Sequence, residues 1–319
     1  MGRIYFARGC RGAIPKRLQA CLAAGGFYTG VVDGVYGGGT EKAVRAFQAS
    51  QRLEQTGAVD EATWIGATQS PIPSLAERCL QLTAAFEGHG FSIVQGNFDG
   101  AWLTWGIIGF TLKHGEIQRL VLRAWEADPN TVRAAFGERV SELVQLVARN
   151  NPRELERWAN SVSSGASKAS VIEPWRSGFM KLGESPLVQQ LQIQRAMDAY
   201  FSPCLATAER YNLTSELGIA LCFDVHVQNG GVRPTAHHAI VKAIGMDFSK
   251  QPEAARREAL ARAVAAQSAA RWRADVLSRK LAFAQGEGKV HGEFFDLANW
   301  GLGDYRSTRL RRDAQSRQI

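Results

Sequence analysis

The sequence predicts a mainly α protein with a small three-helix domain and a larger helical domain that contains one short β-element. Three observations support this. The chain has 319 residues, which is long enough for two hydrophobic cores. Two prolines and two serines at 69–74 separate patterned segments on either side. Apolar residues recur at helical spacing before and after that stretch. We therefore place a first domain at 10–68, a linker at 69–74 and a second domain at 75–319.

The composition is that of a folded protein with a basic surface. Hydrophobic residues make up 45% and charged residues 21%, values typical of globular domains. The net charge of +8 favours an anionic partner, which could be a nucleic acid, a membrane surface or an acidic polymer. No apolar run approaches the roughly 20 residues that a membrane-spanning helix needs, so we expect no membrane anchor. The five cysteines lack the spacing of a disulfide framework and are expected to be reduced.

Helical periodicity appears twice in the first domain. Apolar side chains recur at Leu18 and Leu22 and again at Val44 and Phe47, with runs of glycine between the two segments. This pattern predicts a helix, a loop and a second helix.

Turn and cap residues complete the prediction for this domain. Asp33 and Gly34 have the composition of a tight turn. Thr40 is expected to cap the second helix, and Asp60 to cap a short third helix. The result is a bundle of three short helices.

The second domain begins with a helix. Ser74 and Glu77 have the spacing of a capping box, and the apolar stripe that follows ends at Phe86, so the helix is expected to end at Gly88. Residues 90–110 are rich in glycine, aromatic and β-branched residues, which predicts loops and short strands. Helical periodicity predicts further helices at 116–127, 130–148, 152–162, 187–211, 214–228, 235–244 and 252–284.

About fifty residues of the first domain resemble the peptidoglycan-binding type 1 module. The resemblance rests on LQACL at 18–22, VDGVYG at 32–37 and TGAVD at 56–60, with aromatic and Thr positions between and after them. It implies a groove that contacts glycan or stem peptide, formed by Asp33, Gly34, Tyr36 and Thr40. For the apolar positions of the same segment, a purely structural role is the better interpretation.

A second resemblance lies at 97–111, which reads NFDGAWLTWGIIGFT. It is similar to the signature of the family of chitosanases, in which an Asp-Gly turn leads through a Thr to Gly-Ile-Ile-Gly-Phe-Thr. The resemblance implies a lysozyme-like glycosidase. It assigns the catalytic base to Asp99, the positioning of the attacking water to Thr104 and the general acid to Glu87. Trp105 stands where the family has a small residue.

Glu87 occupies the place that lysozyme-like glycosidases give to their catalytic glutamate, at the C-terminal end of a helix before a β-containing lobe. A helix C-terminus and an apolar neighbour both disfavour a carboxylate, as a general acid requires. Glycoside hydrolysis requires two carboxyl groups that flank the scissile bond. A gap of about 6.5–9.5 Å between them predicts inversion and one of about 5–5.5 Å retention. The resemblance favours inversion.

Five further residues are candidates for substrate binding. In the helix predicted at 214–228, the polar end could present hydrogen-bonding groups to a glycan, although Asn229 with Gly230 could equally form a helix C-cap. Arg279 could orient Glu87 or Asp224 by a bidentate contact, or could be an ordinary exposed arginine. The substrate-binding candidates are Gln228, Asn229, Asp224, Trp102 and Arg279.

Other chemistries fit the sequence less well. His226, His237, His238 and His291 lack a metal-ligand spacing such as H-E-x-x-H, so we expect no metal and no other cofactor. Cys222 lies within an apolar helix, where an inert buried thiol is expected. Basic residues are spread along helices apart from a cluster at 309–312, and no nucleic-acid-binding motif is present.

The sequence therefore predicts a peptidoglycan hydrolase of the muramidase type, similar to a phage endolysin and active as a monomer. A chitosanase-type glycosidase and a catalytically inactive wall-binding protein are the alternatives. The positive net charge favours anionic wall polymers over chitosan, which is a cation. The N-terminus lacks the apolar core of a secretory signal. We thus expect synthesis in the cytoplasm and release to the periplasm by a holin or a secretion system.

Overall fold

The computed structural model describes residues 2–87 and 90–307. It confirms a mainly α fold with a few short strands. The chain forms two compact units. The discontinuous unit comprises Met1–Phe86 and Ala199–Ile319, and the inserted unit comprises Glu87–Asp198. Within the described ranges, no helix combines the length and the apolar character needed to span a membrane.

The α-helices of the described residues follow in chain order. They are α1 (Ala13–Ala24), α2 (Gly38–Ser50), α3 (Glu61–Thr68), α4 (Leu75–Glu87), α5 (Glu116–Ala127), α6 (Pro129–Phe136), α7 (Val140–Arg149), α8 (Pro152–Val162), α9 (Trp175–Glu184), α10 (Pro186–Ala196), α11 (Ser202–Arg210), α12 (Glu216–Asn229), α13 (Pro234–Ile244), α14 (Glu253–Ala266) and α15 (Arg273–Gln285).

The strands are short and form four small antiparallel sheets in the described part of the chain. They are β1 (Ile4–Phe6) with β2 (Val59–Asp60), β3 (Val94–Gln95) with β4 (Thr104–Trp105) and β5 (Phe110–Thr111), β6 (Ser163–Ser164) with β7 (Ser170–Val171), and β8 (Glu287–Val290) with β9 (Glu293–Asp296).

The three predicted helices of the first segment are present as α1, α2 and α3. Asp60 caps α3, since its carboxylate accepts from the Thr63 backbone N–H at 2.8 Å. The expectation for Thr40 is wrong. Gly37 occupies the N-cap of α2, and Thr40 lies within the first turn with only 1% of its surface exposed. Its hydroxyl accepts from the buried side chain of Gln19 at 3.0 Å, so it faces the interior.

Two buried glutamines hold the loops of this segment in the same way. Gln19 accepts from the Gly34 N–H at 2.7 Å and donates to the Val35 carbonyl at 3.0 Å. Gln48 accepts from the Gly57 N–H at 2.9 Å and donates to the Ala58 carbonyl at 2.8 Å. Each glutamine thus satisfies the loop backbone that follows its own helix. In the sequence, each copy of this repeat consists of a Gln-Ala pair that is followed later by a Gly and then by a Thr. The pattern has no helical periodicity, so the search for apolar spacing does not detect it.

The first segment is joined to the rest of the discontinuous unit by polar contacts. The Ile14 N–H donates to Gln81 on α4 at 3.0 Å, and Arg11 forms an ion pair with Glu293 on β9. Near the other end of β1, Glu216 at the start of α12 pairs with Arg3 and with Arg78. The segment 2–68 is therefore packed on the helices that follow it.

Several predicted helices have the expected bounds, and others are interrupted. The helices predicted at 116–127 and 152–162 are α5 and α8. The stretch predicted at 187–211 contains a π-helical turn at Met197–Phe201. Pro203 follows it and has no N–H to donate to the preceding turn, which is the physical reason for the wider turn. The stretch 252–284 breaks after Ala266.

Strand β1, helix α9 and the hairpins β6–β7 and β8–β9 were not predicted. These strands have two to four residues, too few for a period-2 pattern to register. The predicted end of α4 at Gly88 lies outside the described residues, as does the basic cluster at 309–312.

We expect Gln19→Ala to lower the stability of the chain by about 2–3 kcal/mol, because it leaves several buried backbone and side-chain groups without partners. Chemical denaturation followed by tryptophan fluorescence measures the change. Gln51→Ala, at an exposed position after α2, is the matched control and is expected to change stability by less than about 0.5 kcal/mol. Equal effects of the two substitutions would contradict the role assigned to Gln19.

Candidate active site

Glu87 is the last residue of α4, as the sequence predicts. The predicted capping box starts this helix, with the Ser74 N–H donating to the Glu77 carboxylate at 2.8 Å. The end of the helix is held by Phe86, whose ring meets Phe283 at 5.1 Å and Phe295 at 4.6 Å between centroids. The residue before Glu87 is therefore fixed in the core of the discontinuous unit.

Asp99 lies on an exposed turn of the inserted unit, which we call the Asp99 turn (residues 96–102). Its carboxylate accepts from the Ala101 N–H at 3.0 Å, which leaves its second oxygen for other partners. Asn97 closes the turn by accepting from the Trp102 N–H at 3.0 Å. Gly100 has a φ of 82°, which glycine adopts without strain. The carboxylate of Asp99 is thus presented on a preformed loop.

Thr104 follows the Asp99 turn on the central strand of the three-stranded sheet. It lies opposite Gln95 on β3 and Thr111 on β5, so the three side chains share one face. Only 8% of Thr104 is exposed, while Thr111 bonds His114 at 2.7 Å. The sheet therefore carries a row of polar side chains beside the Asp99 turn.

The opposite face of this sheet is apolar and anchors it in the inserted unit. Trp105 is fully buried, packs on Phe179 of α9 and donates its indole N–H to the Phe179 carbonyl at 3.0 Å. Phe110 lies beside Trp105 across the strands. The tryptophan that replaces a small residue of the chitosanase signature is here a core anchor.

Gln192 is the positioning residue that the sequence does not reveal. It is fully buried on α10, accepts from the Ile107 N–H at 2.9 Å and donates to the Phe91 carbonyl at 3.0 Å. A side chain at Gly106 would overlap the Gln192 amide, and the φ of Gly106 is 89°. The α10 helix is in turn tied to α5 by a bidentate Arg195–Glu116 pair.

Trp102 has an unusual backbone conformation for its size. Its φ is 70°, in the left-handed region that residues with bulky side chains rarely adopt. The hydrogen bond from its N–H to Asn97 holds this conformation at the end of the Asp99 turn, and the residue is half-buried. Strain of this kind is concentrated at functional sites.

Asp224 is the centre of a buried ionic cluster in the discontinuous unit. Arg279 donates to it in bidentate geometry, with its Nη2 at 2.6 Å from Oδ1, and Lys280 contacts the other oxygen. None of the three has exposed surface. Burial acts to raise the pKa of Asp224, but Arg279 and Lys280 outweigh it, so the pKa is lowered. Arg279 also lies 5.5 Å from the centre of the Phe86 ring.

This burial corrects the expectation that Asp224 and Arg279 contact substrate. A carboxylate enclosed by two cations has no surface for a sugar, so both residues act by holding the helices around them. Arg279 is likewise not an exposed helical arginine. Gln228 accepts from Lys280 at 2.6 Å, and its amide nitrogen is the part left for a ligand.

Asn229 is the last residue of α12, and Gly230 caps the helix in the left-handed conformation. The Asn229 side-chain oxygen is buried and has no hydrogen-bond partner among the described residues.

The predicted ligand groove of the first segment divides into exposed and buried residues. Tyr36 and Thr40 are each 1% exposed, and the Tyr36 hydroxyl donates to the Gly57 carbonyl at 2.8 Å. They hold the fold rather than contact a ligand. Gly34 is also buried. Asp33 is exposed, and hydrogen bonds from the Val35 N–H and Gln19 lower its pKa. Val35 beside it is exposed by 50%.

The histidines and Cys222 have structural surroundings. His226 bonds Thr207, His237 bonds Tyr211 and His291 contacts Asp275. No group of three or more potential metal ligands occurs among residues 2–87 and 90–307. Burial raises the pKa of the Cys222 thiol, which makes the thiolate unavailable.

We expect Gly106→Ala to destabilise the inserted unit by more than about 2 kcal/mol, because the methyl group adds a clash with Gln192 to the cost of a left-handed backbone. Gly115→Ala is the matched control: its φ is 79° and a methyl group there meets no other atom within 4 Å. Thermal unfolding compares the two variants. A Gly106→Ala protein as stable as the control would show that Gln192 does not constrain this turn.

We expect Asp224→Asn to cost about 3–5 kcal/mol, because it removes the carboxylate that faces two buried cations. The folded-state pKa is lowered, so the carboxylate stabilises the fold above its ordinary pKa of 3.8 and loses this effect as pH falls below that value. The wild type should therefore lose stability more steeply than the variant in acid. Glu258→Gln, in the exposed pair with Arg262, is the control and should change stability by less than about 1 kcal/mol.

Comparison with known proteins identifies the first segment. Residues 11–65 match the family described as "Putative peptidoglycan binding domain", which confirms the predicted module. No curated protein matches the sequence.

Solved structures of chitosanases are similar to most of the chain. A glycoside hydrolase family 46 chitosanase from Gynuella sunshinyii in complex with chitotetraose is 15% identical, with a TM-score of 0.46, covering 70% of this chain and 98% of that one. A mutant chitosanase from Bacillus subtilis complexed with six glucosamine units is 17% identical, with a TM-score of 0.49, covering 69% and 94%. A further chitosanase complex is 18% identical, with a TM-score of 0.49, covering 68% and 94%.

Proposed function

We propose that this protein is a peptidoglycan hydrolase, a glycosidase of the muramidase type that cleaves β-1,4 bonds of cell-wall glycan. Its module at 11–65 brings it to the wall, and Glu87, Asp99 and Thr104 carry the reaction. The observation that supports this most is the Asp99 turn. It presents a carboxylate directly before a strand whose polar face carries Thr104.

The proposed chemistry needs one acid and one base. Glu87 protonates the oxygen of the leaving sugar while the glycosidic bond breaks. Asp99 accepts a proton from the water that attacks the anomeric carbon, and the Thr104 hydroxyl holds that water. The reaction inverts the configuration at that carbon if the water attacks from the face opposite the leaving group. Phe98, exposed by 48% beside Asp99, offers an apolar surface to a sugar ring.

The wall-binding module supports peptidoglycan as the substrate. The match over 11–65 lies in the same compact unit as Ala199–Ile319, so the module is part of a larger folded unit. We further propose that a holin or a secretion system releases the protein from the cytoplasm and that it acts on the periplasmic wall.

We expect Glu87→Gln to reduce the rate of wall hydrolysis by about a hundredfold to ten-thousandfold, because it removes the proton donor. Asp99→Asn should have a similar effect, and Thr104→Val should cost about a hundredfold through a misplaced water. Loss of turbidity of purified peptidoglycan measures these rates. Glu126→Gln is the matched control, since Glu126 is an exposed glutamate in the last turn of α5. Full activity of Glu87→Gln would refute the assignment.

The products decide the bond that is cut. Reducing N-acetylmuramic acid ends, found by mass spectrometry, would establish a muramidase, and reducing N-acetylglucosamine ends a glucosaminidase. Release of sugar from chitosan but not from peptidoglycan would favour the chitosanase alternative, to which the 97–111 signature is similar. Binding to the wall without any cleavage would favour an inactive wall-binding protein.

A further inference from the structure

Two lysines of the inserted unit are hydrogen-bonded to the Asp99 turn, one directly and one through another side chain. The Lys113 ammonium donates to the Gly100 carbonyl at 3.2 Å, and the Lys168 ammonium donates to the Asn160 side-chain oxygen at 3.0 Å. Asn160 also accepts from Asn97 at 3.0 Å, so Lys168 is linked to the turn through two amides. One ammonium group therefore contacts the Asp99 turn directly, and the other contacts it through Asn160.

The backbone around both lysines is fixed against the same turn. The Lys113 N–H donates to the Ala101 carbonyl at 3.2 Å, so the main chain and the side chain of Lys113 reach neighbouring residues. On the other side, the Gly96 N–H donates to the Ala169 carbonyl at 2.9 Å, and a side chain at Gly96 would overlap the Lys168 carbonyl. The backbone that carries the two lysines is thus held before any ligand arrives, which reduces the entropy lost on binding.

Neither lysine has an acidic partner in the part of the chain that the structure describes. Both are exposed, and their protein partners are neutral oxygens that leave other ammonium hydrogens unused. Three other basic residues of this unit, Arg139, Arg149 and Arg195, pair with glutamates. Two cations without an ion-pair partner among the described residues thus lie at the loop that carries Asp99.

The charge of this site is not a consequence of the net charge of the protein. Residues 87–198 contain 12 basic and 12 acidic residues, so the positive excess lies in the rest of the sequence. The positive charge at the Asp99 turn is therefore a local contribution of Lys113 and Lys168, and exposed charges of this kind act over roughly 10 Å in salt solution.

We propose that Lys113 and Lys168 bind carboxylates of the substrate and so select an anionic glycan over a neutral or cationic one. This inference rests on the proposed glycosidase function and specifies its substrate. Two sources of carboxylate exist in peptidoglycan: the stem peptide and, where the peptide is absent, the lactyl group of the muramic acid. Chitosan, with free amines, would be repelled by the same two cations.

Three glycans of the same backbone distinguish these sources. They are peptidoglycan fragments with stem peptides, strands stripped of peptide that expose lactyl carboxylates, and stripped strands whose carboxyl groups have been reduced to alcohols. The full-length protein is compared with Lys113→Gln, Lys168→Gln and the double variant. Lys181→Gln removes an exposed lysine of α9 in the same unit and is the matched control.

Each Lys→Gln change is expected to lower kcat/KM about threefold on a carboxylate-bearing strand, and the double variant about tenfold, mainly through KM. The difference should disappear on the reduced strand and shrink at high salt. Lys113→Arg with Lys168→Arg retains both charges and should restore most of the loss. A loss only with stem peptides present identifies the peptide as the source, and a loss on stripped strands identifies the lactyl group.

Equal losses on all three glycans would overturn the inference, because they would show that the lysines only hold the turn. Binding of each strand to the wild type and to the double variant is measured as well. Unchanged binding of carboxylate-bearing strands would also overturn it. A wild type that cleaves none of the glycans refutes the proposed function, whereas the binding measurement still decides the role of the lysines.

Discussion

The discontinuous unit is organised around one buried carboxylate. Asp224 brings the guanidinium of Arg279 and the ammonium of Lys280 into the core between α12 and α15. Burying such charges is costly unless they are paired and hydrogen-bonded. Arg279 in turn packs near the ring of Phe86, which directly precedes Glu87. The position of the proposed acid therefore depends on an ionic cluster that itself has no exposed surface.

The inserted unit positions the proposed base by different means. Its three-stranded sheet is too short to be stable alone, so one face is anchored by Trp105 and the β4–β5 turn by Gln192. The Asp99 turn is tied to Ser163 of β6 by the Asn97 N–H at 2.9 Å. An exposed loop thus obtains the rigidity that catalysis requires from buried neighbours on two sides.

The sequence predicted most features that depend on neighbouring residues, with the cap at Thr40 as the exception. The capping box at Ser74 and the cap at Asp60 are local, and their hydrogen bonds are as expected. It did not predict pairings between distant residues. The contact of Arg279 with Asp224 was one of several possibilities, and the burial of both could not be deduced from helical periodicity. Gln192 gave no signal, because a polar residue on a helix is ordinarily exposed.

The peptidoglycan-binding module is not an independent domain on a flexible linker. Trp64 donates its indole N–H to the Pro71 carbonyl of the expected linker at 2.9 Å, Gln81 of α4 bonds the start of α1, and Arg11 reaches β9. A module attached in this way cannot be exchanged for another binding domain by cutting at the linker, since the exchange would strip polar partners from the rest of the fold. Its evolution is thereby coupled to that of the surface beneath it, and variants of wall specificity have to arise within the module.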